Sequence, residues 1–407
     1  MRRRTLLKSI GLGSLGAFPD LALPHIARAD TPGVTATEIK IGHTIPYSGP
    51  ASAYGVIGHG HAAYFKMVNE MGGVAGRKIN FISLDDGYSP PKTVEQVRRL
   101  VEQDEVAFMF SPLGTPNNSA IQKYLNQRKV PTLFVATGAD KWGNYKENPW
   151  TIGWQPSYRT EAQIYAKYLR KEIAEPKLAV LFQNDDFGKD YVGGLKDALG
   201  PDYAKLVIKE ASYEITDATI DSQVVSIKES GANALLTAAT PKFAAQTIRK
   251  VFDLNWKPLH FLSNVSASVG AVITPAGPEK AVGIITSAYI KDSTDPRWKD
   301  DPGIKEWRDW MNKWIPGGDQ TDGGYLASYG VDVTMMQVFK QCGNDLSREN
   351  LMRQAANIKD LDCPILLPGI KVNTSPTNFH PIRQMQLSKW TGNHWELFGE
   401  VIEGTGA

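Results

Sequence analysis

Short apolar runs that alternate with stretches of helical length are the feature that most constrains the fold of this chain. The β-prone runs cover residues 39–45, 79–84, 107–110, 132–135, 178–182, 234–237, 259–262 and 283–286. The intervals between them are long enough for helices, and in the first interval apolar residues recur at helical spacing over 54–70 before Gly72-Gly73. This alternation predicts an α/β fold of mainly parallel sheets that helices cover on both faces.

The last third of the chain has a different pattern. An apolar stripe at helical spacing runs through Tyr325, Tyr329, Val333 and Met336. A second helix is predicted over 347–357. Two β-prone runs, 384–389 and 395–401, flank Thr391-Gly392-Asn393, which predicts a closing hairpin.

Residues 1–29 have the order of parts that an export signal requires. Arg3-Arg4-Thr5-Leu6-Leu7-Lys8 matches the twin-arginine pattern, and Ala27-Arg28-Ala29 offers small residues to a signal peptidase. The weakly apolar stretch between them is too short and too interrupted to cross a bilayer. We expect export to the periplasm with cleavage near Ala29, by either the twin-arginine or the general secretory route.

Charge and cysteine content narrow the function classes. The chain carries a net charge of +2, and because residues 1–29 hold five basic residues and one acid, the remainder carries −2. A nearly neutral chain gives no electrostatic reason to expect binding to nucleic acid or an anionic membrane.

The two cysteines, Cys342 and Cys363, cannot form a four-thiolate metal site, and the sequence leaves open whether they are bridged or are two buried thiols.

Motifs for catalysis are weak or missing in the sequence. There is no G-x-S-x-G, H-E-x-x-H or P-loop pattern. Ser89-Pro90-Pro91-Lys92 fits S-x-x-K, but its prolines predict the start of a helix. His59 and His61 are predicted to be solvated, because residues two apart point to different sides of a helix. Asp185-Asp186 and Asp300-Asp301 are interpreted as solvated acidic turns. We therefore predict no catalytic residues, no metal and no cofactor.

Loops at the carboxyl ends of the predicted strands have the chemistry of a binding pocket. They contain Tyr47-Ser48-Gly49-Pro50 and the segments 111–115, 136–139 and 184–188, rich in glycine and hydroxylated residues. In open α/β sheets, ligands bind at this edge. Hydroxyls and the N–H groups of helix N-termini can hold a carboxylate without a cationic side chain. The alternative interpretation is ordinary βα-loop composition, which favours the same residues.

Several segments resemble the periplasmic branched-chain amino-acid-binding proteins. They are Ile45-Pro46-Tyr47-Ser48-Gly49-Pro50, Ala53-Tyr54-Gly55, Asn69-Glu70-Met71-Gly72-Gly73-Val74-Ala75-Gly76, Asp85-Asp86, Asp186-Phe187-Gly188, Pro368-Gly369-Ile370 and Gln384-Met385-Gln386. The resemblance implies a two-lobed type I periplasmic binding fold with three hinge crossings, near 155–158, 286–288 and 375–381. The N-terminal lobe would comprise 38–156 plus 287–375, and the C-terminal lobe 157–286 plus 376–402.

The resemblance also implies a role and a set of site residues. The role is that of a monomeric, non-enzymatic solute-binding protein that delivers a small ligand to the permease of an ABC importer. Thr115 and 136–139 would cradle a ligand carboxylate, and Leu113 with three aromatic residues would form the walls. The implied ligand-binding residues are Tyr54, Leu113, Gly114, Thr115, Ala136, Thr137, Gly138, Ala139, Phe187, Thr240, Val265 and Tyr289. A ligand sensor of the same fold that signals to a membrane receptor is the alternative.

Two departures from the family's pattern bear on the ligand. After the strand at 259–262, where amino-acid binders place a carboxylate, the chain has Ser263-Asn264-Val265-Ser266, and 238–241 lacks the frequent tyrosine. A desolvated ammonium without a counter-charge is costly. We therefore favour an aromatic or aliphatic organic acid over an amino acid, unless Asp140, Asp185 or Asp186 turns inward. The N-lobe disulfide of the family is missing, since Tyr88 and Gly114 occupy its positions.

Overall fold

A computed structural model describes residues 31–404, which contain two mainly parallel sheets with flanking helices. The first sheet has the order β2-β1-β3-β4-β5, and all its neighbours are parallel. Its strands are β1 (Glu38–Ile45), β2 (Lys78–Asp85), β3 (Phe108–Phe110), β4 (Thr132–Val135) and β5 (Thr151–Gly153). The helices after β1, β2 and β3 are α1 (Gly55–Glu70), α2 (Pro90–Glu102) and α3 (Thr115–Gln127).

The second sheet has the order β12-β11-β10-β9-β8-β6-β7 and becomes antiparallel at β11 and β12. Its strands are β6 (Leu178–Gln183), β7 (Val207–Tyr213), β8 (Ala234–Ala238), β9 (Leu259–Leu262), β10 (Ile285–Ala288), β11 (Gln384–Trp390) and β12 (Trp395–Glu403). Its helices are α4 (Tyr158–Glu172), α5 (Asp186–Leu199), α6 (Tyr203–Leu206), α7 (Asp221–Glu229), α8 (Pro241–Asp253) and α9 (Thr274–Ala276).

Three further helices return the chain to the first sheet. They are α10 (Pro302–Trp314), α11 (Gly323–Cys342) and α12 (Arg348–Ala355), and both α10 and α11 pack on α1. The chain therefore passes between the two sheets after β5, after β10 and again before β11. This arrangement confirms the predicted α/β class with two mainly parallel, helix-flanked sheets.

Local sequence signals account for where these helices begin. The side chains of Ser157, Asp185, Asp301 and Ser347 each accept a backbone N–H in the first turn of the helix that follows. Pro90 opens α2, so the S-x-x-K string is a helix start as predicted. The main core lies between sheets and helices, and large aromatic side chains such as Phe108, Phe110 and Trp307 are fully buried within it.

The sequence missed β5 and β7, each for a physical reason. β5 has only three residues. β7 is an edge strand whose side chains alternate between buried and exposed, so it contains no apolar run. The run predicted at 283–286 forms a strand only from Ile285, and α12 ends at Ala355 rather than at residue 357.

The prediction that both histidines of α1 are solvated is wrong for His61. His59 is exposed, but His61 is fully buried, and its Nδ1 lies 2.7 Å from Oδ1 of the buried Asp332 on α11. Asp332 is far away in sequence, so the pattern around His61 gave no sign of it. Cys342 and Cys363 are two buried free thiols, the second of the alternatives that the sequence left open.

The acidic turns are only partly as predicted. Asp186 and Asp300 are exposed. Asp185 caps α5, however, and Asp301 caps α10 while its carboxylate binds Lys291 at 2.8 Å and 2.9 Å. The residues 1–29 of the predicted export signal lie outside the described residues.

Candidate ligand-binding cleft

A cavity of about 190 Å³ lies where the carboxyl ends of strands from both sheets face each other. An engineered protein cavity of roughly 150 Å³ is enough to hold benzene, so this space suits a small organic ligand. Its lining draws on the residues that follow β1, β3, β6, β8, β9 and β10. This is the edge at which open α/β sheets bind their ligands.

Most of the predicted site residues line this cavity. Those that do are Tyr54, Leu113, Gly114, Thr115, Ala136, Phe187, Thr240, Val265 and Tyr289. Each lies in the segment that follows the carboxyl end of a strand. Residues as far apart in sequence as Tyr54 and Tyr289 therefore share one space because parallel strands end at the same edge.

The structure does not place Thr137, Gly138 and Ala139 in the cavity lining. The Thr137 hydroxyl instead accepts the N–H of Ala139 at 3.2 Å. The carbonyl of Gly138 accepts the N–H of Tyr158 at 2.8 Å, and a Cβ at Gly138 would lie 2.5 Å from the carbonyl oxygen of Pro156. These residues support the chain as it leaves the first sheet, and their contact with a ligand stays a prediction.

Thr115 stands at the first turn of α3 with its side chain turned toward the loop after β4. Its hydroxyl lies 2.6 Å from the Thr137 hydroxyl. The preceding Gly114 has φ = 101°, and a Cβ there would lie 2.8 Å from Oδ1 of Asn117 and 2.9 Å from the ring of Tyr88. Glycine therefore lets the helix N-terminus approach the cavity, and the first N–H groups of a helix favour an anion.

Three tyrosines supply hydroxyl groups to the same part of the cavity. Tyr54, Tyr88 and Tyr158 line it, and burial raises the pKa of each phenol, so all three are neutral near pH 7. The Tyr54 hydroxyl donates to the carbonyl of Val265 at 3.1 Å, which joins the two sheets across the cavity. We call the region of Tyr54, Tyr88, Thr115, Tyr158 and Phe187 the tyrosine part of the cavity.

Tyr88 and Tyr158 were missed as site residues. Tyr88 follows β2 and Tyr158 is the first residue of α4, directly after the chain leaves β5. Both therefore satisfy the carboxyl-end rule that found the other residues. Applying that rule to every predicted strand, rather than to the loops richest in glycine, would have found Tyr88.

The three acids that the sequence offered as ammonium partners do not line the cavity. Oδ1 of Asp140 accepts the Ser157 hydroxyl at 2.6 Å. Asp185 caps α5 and accepts the Gln183 amide at 2.5 Å, and Asp186 binds Lys141 at 2.8 Å. Each is therefore engaged elsewhere.

A buried carboxylate that the sequence did not reveal lies beside the tyrosine part. Glu161 on α4 is fully buried and accepts hydrogen bonds from five groups. They are the hydroxyls of Tyr165, Tyr191 and Ser287 and both the backbone N–H and the side-chain amide of Asn264. Burial raises its pKa, while these donors act to lower it. Glu161 itself does not line the cavity, but it holds Asn264 and Ser287, which do.

The chain beyond β10 lines a second region of the same cavity. We call it the aspartate part and define it by Asp292, Asp295, Trp298 and Ser388. Lys291 also lines this region, but its ammonium already binds both oxygens of Asp301 and the carbonyl of Pro364, at 2.7–2.9 Å. Sequence reasoning found none of these residues.

The described residues, 31–404, contain no group of three or more histidine, cysteine or acidic side chains that could hold a metal ion. Within the same residues, no helix is long and apolar enough to cross a membrane. The cleft offers hydroxyls, backbone N–H groups and apolar walls, which are the means to bind and enclose a small solute.

Comparison with known proteins covers most of the chain. Residues 38–394 match the model of a family described as periplasmic binding protein. The Leu/Ile/Val-binding protein homolog 1 of Brucella suis biovar 1 (strain 1330) is 23% identical over 359 residues, which cover 85% of this chain and 86% of that protein.

Solved structures share the fold at low sequence identity. A branched chain amino acid ABC transporter from Thermus thermophilus with bound valine superposes with a TM-score of 0.80 at 14% identity, covering 91% of this chain and 98% of the other. A solute binding protein of an ABC transporter from R. palustris, in complex with 4-hydroxybenzoate, superposes with a TM-score of 0.75 at 16% identity, covering 90% and 97%.

Proposed function

Because the chain belongs to the periplasmic binding protein family, in its branched-chain amino-acid-binding group, we propose that it is the solute-binding protein of an ABC importer. It would work in the periplasm, enclose a small carboxylate-bearing solute and present it to the permease in the inner membrane. Binding and closure then make up the whole reaction, with no bond made or broken.

The observation that carries this proposal is the composition of the tyrosine part. It combines the N-terminus of α3, neutral hydroxyls and aromatic walls, while Asp140, Asp185 and Asp186 are all engaged outside the cavity. N–H groups and hydroxyls can hold a carboxylate. An α-ammonium placed beside them would need a counter-charge from the aspartates that line the rest of the cavity, and two of these, Asp292 and Asp322, already accept hydrogen bonds from the chain. An aromatic or aliphatic organic acid is therefore favoured over an amino acid.

Contacts across the cavity support closure of one lobe on the other. The Tyr54 hydroxyl reaches Val265, Lys141 binds Asp186 at 2.8 Å, and the Asp140 N–H donates to Asp190 at 2.8 Å. Each of these contacts joins a residue near the first sheet to a residue near the second sheet. We propose lobes of 38–156 plus 287–375 and 157–286 plus 376–402, so these bonds must break when the cleft opens.

A thermal-shift screen followed by X-ray scattering tests the proposal. The protein from residue 30 onward is heated with benzoate, 4-hydroxybenzoate, hexanoate, leucine, valine and phenylalanine. Ligand at a hundred times its dissociation constant stabilises a protein by about 2.7 kcal/mol. We expect organic acids to raise Tm and to reduce the radius of gyration.

The outcomes test the ligand class and the binding role separately. Stabilisation by leucine, valine or phenylalanine would overturn the preference for organic acids and leave the binding role intact. If no carboxylate changes Tm or compactness, the proposed capture of a carboxylate is wrong.

A further inference from the structure

The aspartate part of the cavity contains buried polar atoms without hydrogen-bond partners. Among the described residues, Oδ2 of Asp295, Nε1 of Trp298 and Oγ of Ser388 are buried and make no hydrogen bond. Asp295, Trp298 and Ser388 are 3%, 9% and 0% exposed, and all three line the cavity. Unpaired buried polar atoms are costly, so a ligand group that bonds to these three atoms would be stabilised.

An acceptor and a donor stand on residues of one short turn. Asp295 caps the short turn Pro296–Trp298 by accepting the N–H of Arg297 through Oδ1 at 2.8 Å. Its second oxygen, Oδ2, lies 3.7 Å from Nε of Arg297, which is beyond hydrogen-bond distance. Trp298 stands three residues after Asp295, so an unused carboxylate oxygen and an unused indole N–H lie on one turn.

The neighbouring charged side chains, Asp292 and Lys291, already have hydrogen-bond partners within the chain. Asp292 accepts the N–H of Trp395 at 3.1 Å and both the N–H and hydroxyl of Thr294. Lys291 binds three acceptors, so it has no proton left for a ligand. The groups that remain are one acceptor, one donor and a serine hydroxyl that can be either.

We propose that the aspartate part is a subsite for a hydroxyl group of the ligand, which donates to Asp295 and accepts from Trp298. A hydroxyl satisfies both atoms at once. An ammonium group only donates and would leave the indole N–H unpaired, and a carboxylate would face the charge of Asp295. This inference rests on the proposed function and narrows the solute to a hydroxylated carboxylic acid.

Calorimetric titration with matched triads tests the subsite. The first triad is 4-ethylbenzoate, 4-(hydroxymethyl)benzoate and 4-(aminomethyl)benzoate, and the second is heptanoate, 6-hydroxyhexanoate and 6-aminohexanoate. We expect the hydroxyl member of at least one triad to bind at least tenfold more tightly than its two partners.

Substitutions show whether the preference comes from these residues. Trp298→Phe and Ser388→Ala should each reduce the preference for the hydroxyl member at least threefold. Trp310→Phe is the matched control, because its indole N–H is also buried and unpaired but lies outside the cavity lining. Circular dichroism and Tm establish that each variant is folded.

The outcomes show whether the hydroxyl subsite alone is wrong or the proposed capture of a carboxylate is wrong as well. Equal binding within the triads, or preference for the methyl or amine member, overturns the hydroxyl subsite and leaves carboxylate capture standing. A preference that Trp298→Phe and Ser388→Ala both retain also overturns the subsite. If no member of either triad binds, the carboxylate proposal fails together with the inference.

Discussion

The carboxylate of Glu161 accepts both the backbone N–H of Asn264, at 2.9 Å, and its side-chain amide, at 2.6 Å. Asn264 lies in the loop after β9, where the family's amino-acid binders place an acid, and Glu161 lies on α4, about a hundred residues earlier in the chain. A buried acid is thus present near this loop, but it is used to fix the loop. The geometry of the cavity wall depends on this contact.

Replacing Glu161 with glutamine should destabilise the protein. The glutamine amide carries two protons, so at least one of the five donors around it loses its acceptor. The cost of such an unpaired buried group is about 1–3 kcal/mol. Urea unfolding measures it, with the exposed Glu172→Gln on the same helix as the control. Equal stability of Glu161→Gln and wild type would show that the network adapts.

Replacing Tyr54 with phenylalanine should weaken ligand binding and favour an open cleft. The change removes the hydrogen bond to Val265, which joins the two sheets. A hydrogen bond of this kind contributes about 0.5–1.5 kcal/mol, so affinity should fall about two- to tenfold. Titration calorimetry and X-ray scattering measure the effects. Tyr47→Phe is the control, because its hydroxyl bonds Ser83 within the first sheet. An unchanged radius of gyration would contradict a closing role.

Replacing Thr115 with alanine should weaken a carboxylate ligand by about 1–3 kcal/mol, because one polar partner is lost. Thr115→Ser, which keeps the hydroxyl that lies 2.6 Å from Thr137, should retain most of the affinity. Both variants are titrated with the carboxylate that gives the largest thermal shift. If Thr115→Ala binds as wild type does, Thr115 is a scaffold residue.

Acid should destabilise the protein partly through His260. Burial lowers the pKa of His260 from 6.5 to about 3. Between these values the unfolded chain takes up a proton that the folded protein does not, so stability falls as pH decreases from 6.5 toward 3. The loss is up to about 5 kcal/mol, since each pKa unit is worth about 1.4 kcal/mol.

His260→Gln should flatten that part of the pH dependence. Urea unfolding at several values between pH 7 and pH 4 measures the slope for the variant and for wild type. His59→Gln is the control, because His59 is exposed on α1. Parallel curves for wild type and His260→Gln would contradict the effect of burial.

Much of the fold follows from local pattern. Every β-prone run that the sequence showed contains a strand, because buried parallel strands must be apolar on both faces. The search for apolar runs did not predict the edge strand β7, because its outer face is exposed. The lobe boundaries remain a prediction.

The candidate site was only partly predictable. Residues in the segments that follow strands, such as Tyr54 and Thr115, could be assigned because the sheet brings carboxyl ends to one edge. Residues 137–139 follow from the same pattern, but the structure does not place them in the cavity lining, and Gly138 packs against Pro156 and Tyr158. A local pattern does not show such packing. His61 shows the same limit, because its partner Asp332 lies on another helix.

The sequence by itself determined the α/β class, the edge where a ligand would bind and the resemblance to a family, because periodicity and loop composition are local properties. Only the tertiary structure decided that Glu161 holds the loop after β9, and that Asp295, Trp298 and Ser388 line the same cavity as Thr115. Those relationships join residues far apart in the chain. Their energies depend on burial, which exists only after the sheets, helices and crossings have packed together.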